Sequence, residues 1–279
     1  MEVNYELHHG DCLDWMPKLA SKGVKVGMVL ADTPFGTTQC VWDSVIPLAP
    51  MWAALKSVIF RKATTVMFGS QPFTSLLITS NMEWFRRSLV WDKVSPVGVA
   101  NCKKMELRQH EDIVIFSEYP TVYNAQLINK TTVKKRFGAA KGSSKSVYQS
   151  IGDKKSDGVG YATSILRFMR PNNLTGGGLH PNQKPVALLE YLIKTYTNPG
   201  DTVLDFCMGS GSTGEACANT GRNFIGIELY PLLDRPIDKE KNPDNFGIAQ
   251  SRIEKAYRRA NGLPVKGKAT DTLDLPLFA

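Results

Sequence analysis

The 279 residues are 42% hydrophobic and 22% charged with a formal net charge of +8, a balance that argues for a soluble globular core, as one large domain or one domain with an insertion, and against intrinsic disorder. The longest apolar stretches, such as 24–31 interrupted by Lys25, fall short of a membrane span, and no basic-then-apolar leader precedes them, so a cytoplasmic protein without membrane contact is expected. Cys12, Cys40, Cys102, Cys207 and Cys217 are scattered without close pairs and the four histidines lack an HExxH spacing, which points to reduced thiols and no metal.

In chain order, Leu13, Met16 and Leu19 share one helix face, and 24–30 reads as a buried strand. Pro47 suits the first turn of a helix whose apolar face is Leu48, Met51, Trp52, Leu55, Val58 and Ile59. A second buried strand, 64–68, ends in Gly69-Ser70. A short helix around Phe73, Leu76 and Leu77 and a strand over 85–91 continue the alternation, which predicts an α/β sheet. From 93 to 178 this rhythm gives way, apart from a strand candidate at 113–116, to polar and basic sequence with interleaved aromatics, read as an insertion. It resumes with a helix over 185–197, a strand ending at Phe206, a helix from Ser212, a strand over 223–229 and a last helix carrying Ile248, Ile253 and Tyr257. The expected organisation is therefore a core in two halves, 1–92 and 179–260, around the 93–178 insertion, with 261–279 as a tail.

The charge is concentrated in that insertion. Between Lys93 and Arg170 there are 14 Lys or Arg against 6 Asp or Glu, so the whole surplus of 8 falls within this stretch. Such a block suits a polyanion. Lys103, Lys104, Lys134, Lys135 and Arg136 are the candidates for phosphate contact, with an ordinary solvated surface as the alternative for each pair.

The strand Thr202-Val203-Leu204-Asp205-Phe206 breaks into Gly209-Ser210-Gly211-Ser212-Thr213-Gly214 ahead of a helix, and Glu228 closes the next strand. Glycines let a backbone approach a ligand, and an acid after the following strand can accept from ribose hydroxyls, so on these residues alone a dinucleotide-binding dehydrogenase also fits. Two features favour a cationic ligand over a dinucleotide. Asp205 would meet a pyrophosphate unfavourably but an amine favourably, and about 50 residues after Glu228 are too few for a second mononucleotide-binding half.

Far upstream, the strand before Asp32 delivers Asp32-Thr33-Pro34-Phe35 to the sheet edge where α/β proteins bind ligands. An exocyclic base amine is a poor nucleophile because its lone pair is delocalised into the ring; acceptors for both of its hydrogens localise that pair. Asp32 offers a carboxylate and Thr33 a backbone carbonyl, with Pro34 stiffening the turn and Phe35 presenting a stacking face. Locally, a strand-terminating turn reads equally well.

Taken with the glycine loop, these residues make the chain resemble, over nearly its whole length, the amino-methylating DNA methyltransferases that use S-adenosylmethionine, in the beta order with the catalytic motif first. Asp32-Thr33-Pro34-Phe35 is similar to the DPPY motif, with Trp42-Asp43 just beyond; Asp205 to Thr213 is similar to DPFxGSGTT; His180-Pro181-Asn182-Gln183-Lys184-Pro185 resembles HPxQKP; and Gly10-Asp11-Cys12 resembles the N-terminal GDC element. The resemblance implies a Rossmann-like class I methyltransferase sheet with helices on both faces, permuted motif order and an inserted target-recognition region. It further implies that Asp205, Phe206, Gly209, Ser210, Gly211, Ser212 and Thr213 hold the methionine end of the cofactor, Glu228 its ribose and Asp11 its adenine amine. For Asp11 a helix N-cap is the competing reading. His180 and Lys184 would flank the methionine tail, with a solvated loop as the competing reading for Lys184. The implied partner is double-stranded DNA with a flipped base, in a restriction-modification setting, and a homodimer is compatible with the resemblance. Thr33 stands where the motif has its first proline, Phe35 replaces the commoner tyrosine, and Cys207-Met208 replaces the usual pair. The Asp-first motif favours adenine N6 over cytosine N4. No cysteine has the proline-cysteine context that ring-carbon cytosine methylation needs. A nicotinamide-dependent dehydrogenase, a catalytically silent DNA-binding protein and an RNA methyltransferase remain the rival readings.

Overall fold

The computed structural model describes residues 2–38, 40, 43–98, 102–129, 159–171, 183–234, 236–238 and 242–265. Within them an eight-stranded sheet runs in the order β1 (Tyr5–His9), β10 (Asn223–Glu228), β9 (Thr202–Asp205), β2 (Val26–Ala31), β3 (Ile59–Gly69), β5 (Arg108–Phe116), β4 (Phe85–Val97) and β8 (Ile165–Arg167). β5 is antiparallel to both neighbours and the other pairings of this sheet are parallel. A separate ribbon joins β6 (Leu127–Asn129) to β7 (Val159–Tyr161).

Strand periodicity divides the core into two layers, as the expected sheet with helices on both faces requires. On β2, Met28 and Leu30 point into one cluster while Val29 and Ala31 point into the other, and Val26 joins the latter across a register irregularity before Met28. β5 divides likewise, Ile113 and Ile115 from Val114 and Phe116. The first layer packs against α4 (Val186–Tyr196), α5 (Ser212–Asn219) and α6 (Asn245–Ala260), the second against α1 (Cys12–Ser21), α2 (Leu48–Val58) and α3 (Phe73–Ser80). Each fully buried Leu, Ile or Phe contributes roughly 1.5–3 kcal/mol, and strands buried on both faces account for the continuous apolar runs in the sequence.

Three features differ from the sequence reading. β1 has no apolar run because it is an edge strand, held by its register with β10, Leu7 opposite Gly226 and His9 opposite Glu228. β5 and β8, which fall inside the 93–178 segment, are strands of the main sheet: β5 lies between β3 and β4, where its apolar run is covered on both faces. β4 continues past Trp91 through an irregularity between Asp92 and Val97, where Val94 takes a φ of +67° and donates its amide to Asp92 Oδ1 at 2.9 Å.

The topology also creates a crevice. From β9 the chain passes through α5 to β10 on one side, whereas from β2 it passes through α2 to β3 on the other, although β2 and β9 are adjacent, Val29 opposite Leu204. Connections departing in opposite directions leave a gap at the strands' carboxyl ends. The two motif strands, far apart in sequence, are thus neighbours there.

The loop after β9 depends on Gly211, which N-caps α5 at a φ of +78°. A Cβ there would lie 2.9 Å from Ala249 Cα, so α6 would have to move. Gly211→Ala is expected to destabilise the protein by about 1–3 kcal/mol, the usual cost of a strained backbone position. Thermal unfolding should show a clear fall in Tm, whereas Gly27→Ala, whose Cβ would meet nothing closer than 3.7 Å, stays within about 0.5 kcal/mol of the parent.

Candidate active site

A cavity of about 670 Å³ occupies the crevice, bounded by the carboxyl ends of β1, β10, β9 and β2 and reaching across to Lys93, Glu111 and Lys184. Its size falls within the roughly 300–1,000 Å³ of small-molecule sites. Asp11, Asp32, Asp205 and Glu228 all line it, each placed there because a strand or its first following residues end at this edge.

On the β9 and β10 side, the backbone is arranged by carboxylates. Gly209, at a φ of +52°, donates its amide to Glu228 Oε2 at 2.8 Å, and Tyr230 donates to Glu228 Oε1 at 2.9 Å. Burial pushes the Glu228 carboxyl above its ordinary range, with these amides and the Asn245 side chain pulling against it. Asp205, only 2% exposed, accepts from the Cys207 amide at 3.1 Å and from the Thr213 side chain. Burial still dominates and lifts its pKa to about 7. Asp205 is thus poised between its acid and anionic forms, which suits a site that receives a cation. Asp11 N-caps α1, its Oδ1 accepting from the Leu13 amide at 2.8 Å, while also lining the cavity; both readings of that residue remain compatible with its position.

On the β2 side, Asp32 follows the strand directly, with about a third of its side chain exposed at 32%. Thr33 is buried, and its Oγ1 has no hydrogen-bond partner among the described residues. The ring of Phe35 stacks on Phe73 with centroids 5.4 Å apart, which fixes its orientation while it lines the cavity. Asp43 holds the whole turn. Its Oδ1 accepts from the amides of Phe35 at 2.8 Å and Gly36 at 3.0 Å, and its Oδ2 from those of Thr37 at 2.9 Å and Thr38 at 2.7 Å as well as the Thr38 hydroxyl at 2.7 Å. Burial opposes this charge, yet the Thr38 hydroxyl and the amides of Thr38, Gly36 and Phe35 outweigh it and hold the Asp43 carboxyl below its ordinary range.

Lys184, expected beside a cofactor tail, lines the cavity, directs its Nζ to Asp32 Oδ2 and lies 3.2 Å from Glu111 Oε2. The stem runs among aromatic rings, with Nζ 5.0 Å from the Phe68 centroid and 5.9 Å from those of Phe35 and Trp91. Burial favours a neutral amine here, but Asp32 and Glu111 together raise the Lys184 pKa, so it stays charged. The cavity thiol Cys12 is pushed by burial up to about 12 and Cys207 well above its ordinary value, so neither is a thiolate.

The structure brings Asp11, Asp32, Thr33, Pro34, Phe35, Lys184, Asp205, Phe206, Gly209, Ser210, Ser212, Thr213 and Glu228 to one cavity, with Gly211 behind it against α6. Lys103 and Lys104 are exposed in the connection between β4 and β5, on the sheet edge that carries the cavity. His180, Lys134, Lys135 and Arg136 lie outside the described residues. Sequence reading assigned no role to Asp43, Lys93, Glu111, Arg108 or Arg170, all of which line the cavity. Glu111 lies in the polar first half of β5, two residues ahead of its apolar run, and carried no signal that set it apart from its charged neighbours. No group of three metal-ligating side chains occurs among the described residues, and none of their helices is long and apolar enough to cross a membrane.

Comparison with known proteins identifies the family and the fold. The N6/N4 methyltransferase family model, described as DNA methylase, matches residues 47–233. The Type II methyltransferase M1.MboII of Moraxella bovis is 25% identical over 246 residues, 82% of this chain and 93% of that protein. M.BglI of Bacillus subtilis, also a Type II methyltransferase, is 39% identical over 82 residues, 29% of this chain and 23% of its own. Among solved structures, the M1.HpyAVI-SAM complex superimposes with a TM-score of 0.60 at 24% identity, covering 89% of this chain and 98% of that one. The PvuII DNA methyltransferase, cytosine-N4-specific, does so with 0.55 at 16% identity and 94% of each chain. The fold is that of a class I methyltransferase.

The Asp43 turn generates a direct test. Asp43→Ala leaves several turn amides without an acceptor and is expected to cost about 2 kcal/mol or more in urea unfolding. Because the folded pKa lies below the unfolded value, the stabilisation is fully present above about pH 4 and is lost as pH falls through the folded pKa. The variant should therefore lose less stability than the parent on acidification below about pH 4.

Proposed function

Since the chain belongs to the N6/N4 DNA methylase family, we propose that it transfers a methyl group from S-adenosylmethionine to the N6 amine of an adenine flipped out of double-stranded DNA. The observation that carries this reading is the continuity of one cavity from Asp205 and the glycine loop to Asp32-Thr33-Pro34-Phe35. A cofactor cradle alone would suit many enzymes; joined to a carboxylate and carbonyl at a strand end, it suits methylation of an amine.

The residues present fit the cofactor. Asp205 offers a buried carboxyl to a cationic amine, the Gly209 backbone leaves open space beside it with no atom within 4 Å of a Cβ, and Glu228 stands one strand away for the ribose. Bound there, S-adenosylmethionine supplies an electrophilic sulfonium methyl group. Asp32 and the Thr33 carbonyl accept from the two amine hydrogens and so localise the nitrogen lone pair, which raises nucleophilicity where the methyl group is delivered. Phe35, braced by Phe73, presents a ring to the base. Thr33 in place of proline keeps the carbonyl, and Asp43 supplies through its hydrogen bonds the rigidity that a second proline would give. Two cavity thiols kept protonated by burial argue against a covalent ring-carbon route. Lys103, Lys104, Arg108 and Arg170 give the same edge a cationic rim for phosphates. The Type II methyltransferase relatives suggest that the enzyme is the modification half of a restriction-modification pair.

Expression in a methylation-free host followed by modification-sensitive sequencing reads base and recognition motif together. N6-methyladenine at a fixed motif is expected, with Asp32→Ala abolishing it while retaining cofactor binding. Undiminished modification by that variant would sink the assignment; a mark on cytosine N4 would move the target while leaving the site intact, and preferential labelling of RNA would replace the substrate. The Asp205 carboxyl gives a second measurement. With its pKa at about 7, cofactor binding at about pH 6 should release a proton as the incoming cation favours the carboxylate. Calorimetry in buffers of different ionisation heat should detect that release in the parent and not in Asp205→Asn, which also binds more weakly.

A further inference from the structure

Beneath Asp32 lies a row of alternating charges drawn from four elements. Lys93 of β4 donates to Glu111 Oε1 of β5 at 2.5 Å; Glu111 Oε2 lies 3.2 Å from Nζ of Lys184, just ahead of α4; and Lys184 meets Asp32 Oδ2 after β2. Side-chain exposure is 7% at Lys93, 13% at Glu111, 8% at Lys184 and 32% at Asp32. All four line the cavity, and Asp32, at the end of the row, is the most open of them. Its two ammonium groups balance its two carboxylates, and breaking a buried pair leaves an uncompensated charge.

The geometry points to Glu111 and Lys93 as positioning residues for the methyl transfer proposed above, anchoring Lys184 so that it occupies Asp32 Oδ2 and leaves Oδ1 to the base amine. The inference rests on that functional reading and extends it to residues outside its motifs. Asp92 supports the arrangement from the same strand: it accepts from the Val94 amide, from Gln109 at 3.0 Å and from Arg167 at 2.9 Å, fixing the backbone on either side of Lys93. Without Glu111, Lys184 would face a single anion. Without Lys184, the Asp32 charge would face Glu111 unshielded.

The groups acting on Asp32 are Lys184 ahead of α4, Glu111 on β5, Lys93 on β4 and Asp205 on β9, with Arg108 and Arg170 also lining the cavity. Burial raises the Asp32 carboxyl, Lys184 pulls it down, Glu111 pushes it up again and Lys93 opposes, with a net upward result. Removing either lysine therefore moves it up, and removing Glu111 moves it down. The discriminating measurement is kcat against pH for methyl transfer from labelled S-adenosylmethionine to genomic DNA of a methylation-free host, with cofactor saturating.

Lys184→Met is expected to move the acid limb to higher pH, and Glu111→Gln to lower pH; each unit of displacement changes the rate below the limb about tenfold. Lys184→Arg should return the limb toward the parent, and Lys93→Met should displace it upward through a less neutralised Glu111. A merely structural role would lower kcat at every pH without moving the limb. If Lys184→Met does not fold, Glu111→Gln and Lys93→Met decide between them, since their limbs must move in opposite senses. Limbs at the parent's pH in the folded variants would overturn the inference. So would Lys184→Met weakening cofactor affinity with an unmoved limb, which would place Lys184 in the cofactor site instead. Failure of the functional reading is distinguishable, because the parent would then transfer no methyl group to DNA or Asp32→Ala would transfer it normally.

Discussion

Six carboxylates, Asp11, Asp32, Asp43, Glu111, Asp205 and Glu228, line one cavity at one edge of one sheet, and their mutual repulsion and desolvation are the constraint around which the rest of the site is built. Moving a charge out of water costs several kcal/mol unless a partner compensates. Three different solutions operate within one cavity. Asp43 and Glu228 are met by backbone amides, which simultaneously shape the turn at 35–38 and the glycine loop. Asp32 and Glu111 are met by Lys184 and Lys93. Asp205, buried with an amide and the Thr213 side chain, is met in part by its own proton. The loops and the charges are therefore one structure: the same hydrogen bonds that make burial tolerable hold the backbone in its working shape.

That edge exists because the sheet is parallel where it matters. β1, β10, β9 and β2 all end on the same side, and the connections leaving β9 and β2 diverge. Chain order is irrelevant to this placement. The Asp32 strand comes early and the Asp205 strand late, yet they lie side by side, and residues 152 positions apart, Asp32 and Lys184, are in direct contact. β5, running the other way, begins at the same edge, which is how Arg108 and Glu111 reach the cavity from a strand that enters the core rather than leaving it.

This explains what could be read from the sequence and what could not. Asp32, Asp205 and Glu228 were legible because each follows or ends a buried apolar run, and a parallel strand delivers its last residue to a predictable edge. The glycine loop was legible because positive φ demands glycine, as at Gly209 and Gly211. β1 was hidden because an edge strand alternates weakly, with Tyr5 and Glu6 exposed. Asp43 stood in plain view beside Trp42, but its five donors come from a turn whose shape no periodicity encodes. Lys93 and Glu111 were hidden for a related reason: a charge in a basic, irregular stretch looks solvated until the sheet shows which strand lies beside it. Periodicity identifies faces; it does not identify partners.

The distribution of compensation also bears on which ligand charge belongs where. A carboxylate already matched by a lysine gains little from a second cation, and a cationic ligand near Asp32 would be opposed by Lys184. Asp205 differs because its compensation is a proton near pH 7, which an incoming cation can displace at little cost. Glu228 is held by two amides, so it stays in place as an acceptor without inviting a charge. A neutral amine with hydrogens to donate, by contrast, suits an Asp32 held by Lys184 through one oxygen and, among the described residues, with no partner on the other. The cavity is thus graded, from a side that accepts a cation to a side that accepts a neutral donor, and a methyl donor with a charged tail beside a neutral base amine is the pair of ligands that such a gradient would orient toward each other.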